Sequence, residues 1–131
     1  MSERERFDRI YAEVCGARQW LAQPSEVEVK LESGRRQVVH LQFFDYEARA
    51  MVRLYTVIGS TERIKPLRLQ FALEINHQLP HGAMAVRKGE LVMTDTLILA
   101  DADPGEIEAS LSYLAETADH YEASMFGPDV H

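Results

Sequence analysis

The spacing of apolar residues along the chain predicts three helices and five strands. In the first segment, apolar residues recur at steps of three and four, which is the spacing of one helix face, and Pro24 ends this helix. The stripe consists of Phe7, Ile10, Val14, Ala17 and Leu21. From Val27 the period changes to two, which is typical of a strand with one buried face. This first strand directs Val27, Val29 and Leu31 to one side and charged residues to the other.

Two longer alternating runs predict a second and a third strand, joined by a turn around Asp45-Tyr46-Glu47. We expect one set of residues to face the helices: Val39, Leu41, Phe43, Ala50, Val52, Leu54, Thr56 and Ile58. The opposite set places aromatic and Met side chains between arginines, a mixture more typical of a covered sheet face than of a solvated one. We therefore predict a partner-binding surface that consists of Phe44, Met51, Arg53, Tyr55 and Val57.

The second half of the chain predicts a helix, a hairpin and a final helix. The helix covers about 63–79, with Pro66 tolerated in its first turn, and its expected apolar face is Ile64, Leu67, Phe71, Ile75 and Leu79. The hairpin strands cover about 83–87 and 90–99 and turn at Lys88-Gly89. Asp103 is the N-cap of the final helix, and Pro104 takes its first position.

The resulting order α-β-β-β-α-β-β-α predicts an α+β fold. We expect two layers, with a twisted antiparallel five-stranded sheet and all helices on one of its faces. The chain has 131 residues, and we see neither a linker nor a repeat. This length fits a single domain over residues 1–131. An apolar fraction of 46% with 27% charged residues is ordinary for a folded globular protein.

The stretch 67–122 resembles the C-terminal module of the type III secretion chaperone-like superfamily. The similarity rests on Leu73-Glu74-Ile75-Asn76 at a helix end, the Lys88-Gly89 turn, and Ala115–Glu122 in the last helix. The resemblance implies a homodimer with a helix-backed antiparallel sheet and a binding role. The superfamily contains the class I secretion chaperones, which hold unfolded effector segments, and related bacterial proteins described as sensory transduction regulators. Both branches remain open for this chain.

Positive charge is confined to the first two thirds of the chain. All 14 Lys and Arg residues lie at or before Lys88, whereas the remainder carries only acids, and the net charge is -7. The acidic third is either a solvated surface or a docking surface for a basic partner or for the Arg-rich half of a second copy. Four arginines around the second and third strands could suggest nucleic-acid binding, namely Arg35, Arg36, Arg49 and Arg53. Because acidic surface repels phosphate, we expect no nucleic-acid partner.

The sequence predicts neither a metal site nor a cofactor. His77 and His81 have the spacing of two ligands on one helix face, but Pro80 interrupts that helix and no third ligand completes a set. Asp101 and Asp103 are explained better by helix capping than by a calcium loop, because the glycine of such a loop is displaced.

Catalytic residues are likewise not predicted. Cys15 adjoins the apolar stripe of the first helix and is expected to be a buried thiol. Asp119 and Glu122 share a helix face but are expected to be solvated. Nucleophile elbows and glycine-rich phosphate loops are missing from the sequence. We therefore expect that the protein is not an enzyme.

The lone cysteine and the absence of a long apolar run predict a cytoplasmic protein without a membrane partner. The function we infer is a non-catalytic protein-binding domain, chaperone-like or regulatory, that acts as a homodimer with an unidentified protein partner. The alternative is a regulatory domain that senses a small molecule in a pocket between helices and sheet.

Overall fold

The computed structural model describes residues 1–126, which form three helices and six strands. A short 3-10 turn, Thr61–Arg63, precedes the second helix. The helices are α1 Glu3–Arg18, α2 Pro66–Asn76 and α3 Pro104–Phe126. The strands are β1 Leu21–Gln23, β2 Glu26–Lys30, β3 Arg36–Tyr46, β4 Arg49–Ser60, β5 Ala83–Arg87 and β6 Glu90–Ile98.

All six strands belong to one antiparallel sheet in the order β1-β2-β3-β4-β6-β5. The predicted α+β class and the one-sided helical layer are confirmed, but the predicted count of five strands is wrong. The additional strand is β1, which pairs with β2. Gln19 adopts a positive φ of 60°, and the Trp20 N–H donates to the Cys15 carbonyl. This left-handed cap ends α1 before Leu21, which the spacing had assigned to the helix.

The buried face of α1 is rotated from the predicted one. Phe7, Ile10 and Val14 are buried as expected, but Tyr11 and Cys15 complete the face and Ala17 is exposed. A tertiary contact explains the position of Tyr11. Its hydroxyl lies 2.8 Å from the Gln23 carbonyl oxygen and 3.1 Å from that of Glu26, so it joins α1 to the turn between β1 and β2.

The core lies between α3 and the inner face of the sheet. The alternation predicted for β3 and β4 is confirmed, because Val39, Leu41, Val52 and Leu54 are buried on this face. From α3 the fully buried residues are Ile107, Leu111, Leu114, Ala115, Ala118 and Met125. The predicted cap is also present: the Glu106 N–H donates to Asp103 Oδ1 at 2.8 Å. Burial of the two leucines contributes about 1.5–3 kcal/mol each.

Helix α2 is covered on one side only, and its predicted apolar face is partly wrong. Ile64, Ala72 and Ile75 are buried. Leu67 and Phe71, which were expected in the core, are instead 79% and 52% exposed. The reason is tertiary, because α2 packs beside the short edge strand β5 rather than across the centre of the sheet.

The side chain of Asn76 explains how α2 is attached to that edge. Its Nδ2 donates to the Met84 carbonyl at 3.0 Å, and its Oδ1 accepts from the Met84 N–H at 2.6 Å. The amide thus satisfies both backbone groups of one residue of β5, as a neighbouring strand would. The end of the helix is therefore tied to the sheet edge.

The turn between β3 and β4 is shorter than the sequence suggests. The strands remain paired as far as Tyr46 and Arg49, so only Glu47 and Ala48 connect them. Both have positive φ, 49° and 64°. The predicted turn around Asp45-Tyr46-Glu47 therefore lies too early, because Asp45 and Tyr46 still belong to the ladder. Two-residue hairpins favour Asn-Gly at the connecting positions, and neither residue is present to mark them. The conformation costs about 1–2 kcal/mol per residue that carries a Cβ.

We predict that Ala48→Gly stabilises the protein by about 1 kcal/mol, because glycine adopts positive φ without steric cost. Urea unfolding measures the difference. The matched control is Ala109→Gly on the exposed side of α3, where the same chemical change should destabilise by about 1 kcal/mol. Equal losses in both variants would contradict the assigned turn.

Candidate functional site

The five residues of the predicted partner-binding surface share one face of the sheet. Phe44 lies opposite Met51 across the β3–β4 ladder, and Arg53, Tyr55 and Val57 follow along β4 at every second position. All five are partly exposed, and the helices cover the opposite face. We call this side, formed by the outward residues of the sheet, the outer face.

Arg53 is held against the sheet by two contacts. Its guanidinium carbon lies 4.3 Å from the ring centroid of Phe44. Its Nη1 donates to Gln42 Oε1 at 3.3 Å. Stacking of a guanidinium on an aromatic ring contributes about 0.5–1 kcal/mol at an exposed site. The long side chain is therefore restricted before any partner binds.

Tyr55 forms a second cluster that sequence reasoning did not find. The Arg87 guanidinium lies 4.4 Å from the Tyr55 ring centroid, and the His40 ring stacks on Tyr55 at 4.9 Å. Arg87 belongs to β5, which is separated from β4 in the sheet by β6. Its outward direction follows from the period of its strand, but its distance from Tyr55 depends on the strand order.

The outer face has a small apolar centre of its own. Val92 is only 2% exposed although it lies outside the core beneath the helices. It sits between Val57 of β4 and Ala85 of β5 in the strand register. Side chains on this face therefore pack against one another instead of pointing separately into solvent.

A second exposed apolar surface lies on α2. Leu67 and Phe71, one helical turn apart, form it, with exposed fractions of 79% and 52%. We call these two residues the α2 patch. Leu73 is also exposed but lies on another side of the helix. On the adjoining strand β5, Val86 is also exposed. The sequence signal for this patch was present, because apolar residues occur around the whole circumference of α2, as is typical of a helix covered on more than one side.

The acidic residues of α3 are partly engaged within the chain. Glu108 forms an ion pair with Arg18 at 3.1 Å, and Glu116 Oε1 accepts from the Glu32 N–H at 2.8 Å. Asp119 binds the Arg35 guanidinium through both carboxylate oxygens. The prediction that Asp119 is solvated is therefore wrong. The Arg-rich partner of this acidic helix lies at least in part in the same molecule.

The structure assembles little around the candidate chemical residues. Within residues 1–126, no group of three or more His, Cys, Asp or Glu could hold a metal ion. His81 makes an edge-to-face contact with Tyr113, at 5.8 Å between ring centroids. Cys15 is buried as predicted, and burial raises its pKa to about 11. Its thiolate is thus disfavoured at neutral pH.

Two of the cavities that adjoin α3 are relevant to a ligand pocket. One, of about 320 Å³, lies between α3 and β6 and is lined by His81, Asp95, Leu97, Glu106 and Tyr113 among others. The other, of about 400 Å³, lies between α2 and α3. The cavity between α3 and β6 corresponds to the helix–sheet pocket that the alternative function requires. Among the described residues, no helix combines the length and apolar character that crossing a membrane requires.

Comparison with solved structures identifies the architecture. A chain of the ExsC–ExsE complex superimposes with a TM-score of 0.73 at 14% sequence identity and covers 100% of both chains. The chain has the fold of the type III secretion chaperones. A chain of the HopA1–SchA chaperone–effector complex gives 0.59 at 8% identity, covering 88% of this chain and 92% of that one.

The Yersinia pestis type III secretion chaperone SycH, solved with a fragment of YscM2, gives a TM-score of 0.58 at 15% identity. The match covers 87% of this chain and 98% of that one. No family model and no curated protein matches the sequence. The similarity to these chaperones is therefore one of fold, because the sequence identities are only 8–15%.

The buried thiol generates a pH prediction. Because Cys15 has a pKa of about 11 in the folded protein and 9.0 as its ordinary value, the folded state retains a proton that the unfolded chain loses. The free energy of unfolding should therefore fall as the pH rises from about 9 to about 11. Urea unfolding at several pH values should show a smaller decline for Cys15→Ala than for the unsubstituted protein. Parallel declines would contradict the assignment.

Proposed function

We propose that this protein is a non-catalytic protein-binding domain of 131 residues with a chaperone-like or regulatory role, and that it acts as a homodimer. The observation that carries the proposal is the outer face. On it Phe44, Met51, Arg53, Tyr55 and Val57 are brought together and left partly exposed, while all three helices cover the other side. A mixed apolar and cationic sheet face of this kind suits a polypeptide segment.

The structural neighbours support a protein partner rather than a small molecule. HopA1–SchA is described as a chaperone–effector complex, and SycH as a type III secretion chaperone in complex with YscM2. A shared fold does not by itself transfer an activity. It does favour, among the functions compatible with the outer face, the binding of a segment of another protein.

The α2 patch is the surface that we assign to dimerisation. Leu67 and Phe71 lie one turn apart on the same side of α2, and Glu74 borders them on that side. The neighbouring cation, Arg68, donates from Nη1 to the Met125 carbonyl at 2.7 Å within the same chain. An apolar helix surface is self-complementary, because two copies related by a twofold axis bury the same residues against each other. A second copy therefore fits Leu67 and Phe71.

We predict that Leu67→Glu combined with Phe71→Glu weakens the dimer by about 100-fold or more, because buried anchor residues each contribute about 2 kcal/mol or more. Size-exclusion chromatography with light scattering measures the mass across a range of concentrations. Both positions are exposed in the monomer, so the fold should be retained. Leu21→Glu is the matched control on an exposed leucine of β1 and should leave the mass unchanged. A wild-type protein that is monomeric at all concentrations would contradict the homodimer.

We predict that a photo-crosslinking amino acid at position Met51 captures a discrete polypeptide in cells that express the protein natively. The same group at exposed Glu13 of α1 is the control. Adding Tyr55→Ser should reduce the yield at Met51, since Tyr55 lies farther along β4 on the same outer face, where the partner segment is expected to bind. Mass spectrometry of the crosslinked band provides the readout. Identical products from positions 51 and 13 would show that the outer face does not bind a partner selectively.

The alternative function uses the cavity between β6 and α3. Its size of about 320 Å³ is within the range of small-ligand pockets, and its lining combines Leu97 and Tyr113 with the polar side chains of His81, Asp95 and Glu106. A sensing domain would then regulate partner binding from the opposite side of the sheet. If Tyr55→Ser left every protein association unchanged, this function would become the better hypothesis.

A further inference from the structure

Positive charge dominates the centre of the outer face, although the chain as a whole is acidic. The outward residues of β3, β4 and β6 include no carboxylate between Val38 and Tyr46, Arg49 and Val57, or Val92 and Ile98. Arg49 and Arg53 come from β4, and Arg87, on the edge strand β5, reaches Tyr55 of β4 with its guanidinium. The carboxylates among the outward strand residues are Glu26 and Glu28 of β2, and Glu90, which lies opposite Arg87.

The two arginines that stack on aromatic rings of the outer face, Arg53 and Arg87, lack an anionic partner among the described residues. Within the part of the chain that the structure describes, neither Arg53 nor Arg87 forms an ion pair, although Glu90 lies opposite Arg87 in the register. By contrast, Arg18 and Arg35 each bind a carboxylate of α3. Both unpaired guanidinium groups are instead held on aromatic rings, at 4.3 and 4.4 Å from the ring centroids.

This arrangement suits carboxylates better than nucleic-acid bases. Single-stranded nucleic acids require open aromatic faces on which bases stack. Arg53 already stacks on the Phe44 ring, and both Arg87 and His40 stack on Tyr55. A guanidinium that lies on a ring still presents N–H donors at its edge, in a planar fork that matches a carboxylate. The stacked rings therefore orient donors rather than bind bases.

We propose that the outer face recognises an acidic segment of its protein partner, with Arg53 and Arg87 binding Asp or Glu side chains and Met51 and Val57 contacting apolar residues between them. This inference rests on the proposed function and specifies the chemistry of the partner. A second copy does not supply the segment, because Glu108, Glu116 and Asp119 of the acidic helix are already bound to Arg18, Glu32 and Arg35 of their own chain.

The test compares short fluorescein-labelled peptides in which Leu alternates with Glu, Gln or Lys, together with a labelled oligothymidine. Fluorescence anisotropy should show binding of the Leu–Glu peptide and a decrease in its affinity with added salt. Arg53→Gln with Arg87→Gln should weaken this binding by about tenfold or more. Arg53→Lys with Arg87→Lys should give an intermediate loss, because lysine keeps the charge but not the planar fork.

The control variant is Arg9→Gln with Arg63→Gln, which removes two exposed charges away from the outer face and should leave binding unchanged. Circular dichroism checks that each variant is folded. Equal binding of the Leu–Glu and Leu–Gln peptides, or no peptide binding, would overturn the acidic partner, as would preferential binding of oligothymidine. The photo-crosslinking experiment at position 51 is independent of peptide charge. A discrete crosslinked protein combined with equal peptide affinities would thus leave the proposed function standing and remove this inference alone.

Discussion

Packing of α3 across the inner face of the sheet is the contact on which the rest of the structure depends. Leu111 and Leu114 fill the space above the central strands, and Ala115 and Ala118 allow the helix to approach the sheet closely. Because side chains alternate along each strand, burial of Val52 and Leu54 against this helix directs Arg53 and Tyr55 to the opposite side. The core therefore determines which residues form the outer face.

When helices cover one side of a sheet, the side chains on its other side are exposed to water. Here stacking of Arg53 on Phe44 and of Arg87 on Tyr55 covers aromatic surface with groups that remain hydrated. The same contacts restrict the arginines, so a partner that binds them loses less side-chain entropy on association. The surface is thus compatible both with the free protein and with the acidic partner segment that we propose.

The two surfaces that we assign to association lie on different sides of the sheet. The α2 patch belongs to the helical layer beside β5, whereas the outer face is on the reverse side. A dimer formed through Leu67 and Phe71 would leave both copies of Tyr55 available to a partner. The acidic residues of α3 have a structural role, because Glu108 and Asp119 form ion pairs with Arg18 and Arg35 of neighbouring segments.

Local patterns in the sequence determined the strand faces, the Lys88-Gly89 turn and the Asp103 cap, because each depends on residues a few positions apart. The five predicted residues of the outer face share one side for the same reason. Only the tertiary structure decided that Leu21 forms a sixth strand, that Leu67 and Phe71 are exposed, and that Arg87 reaches Tyr55. These outcomes depend on strand order and on where α2 packs, so they arise from contacts between segments distant in sequence, which periodicity does not encode.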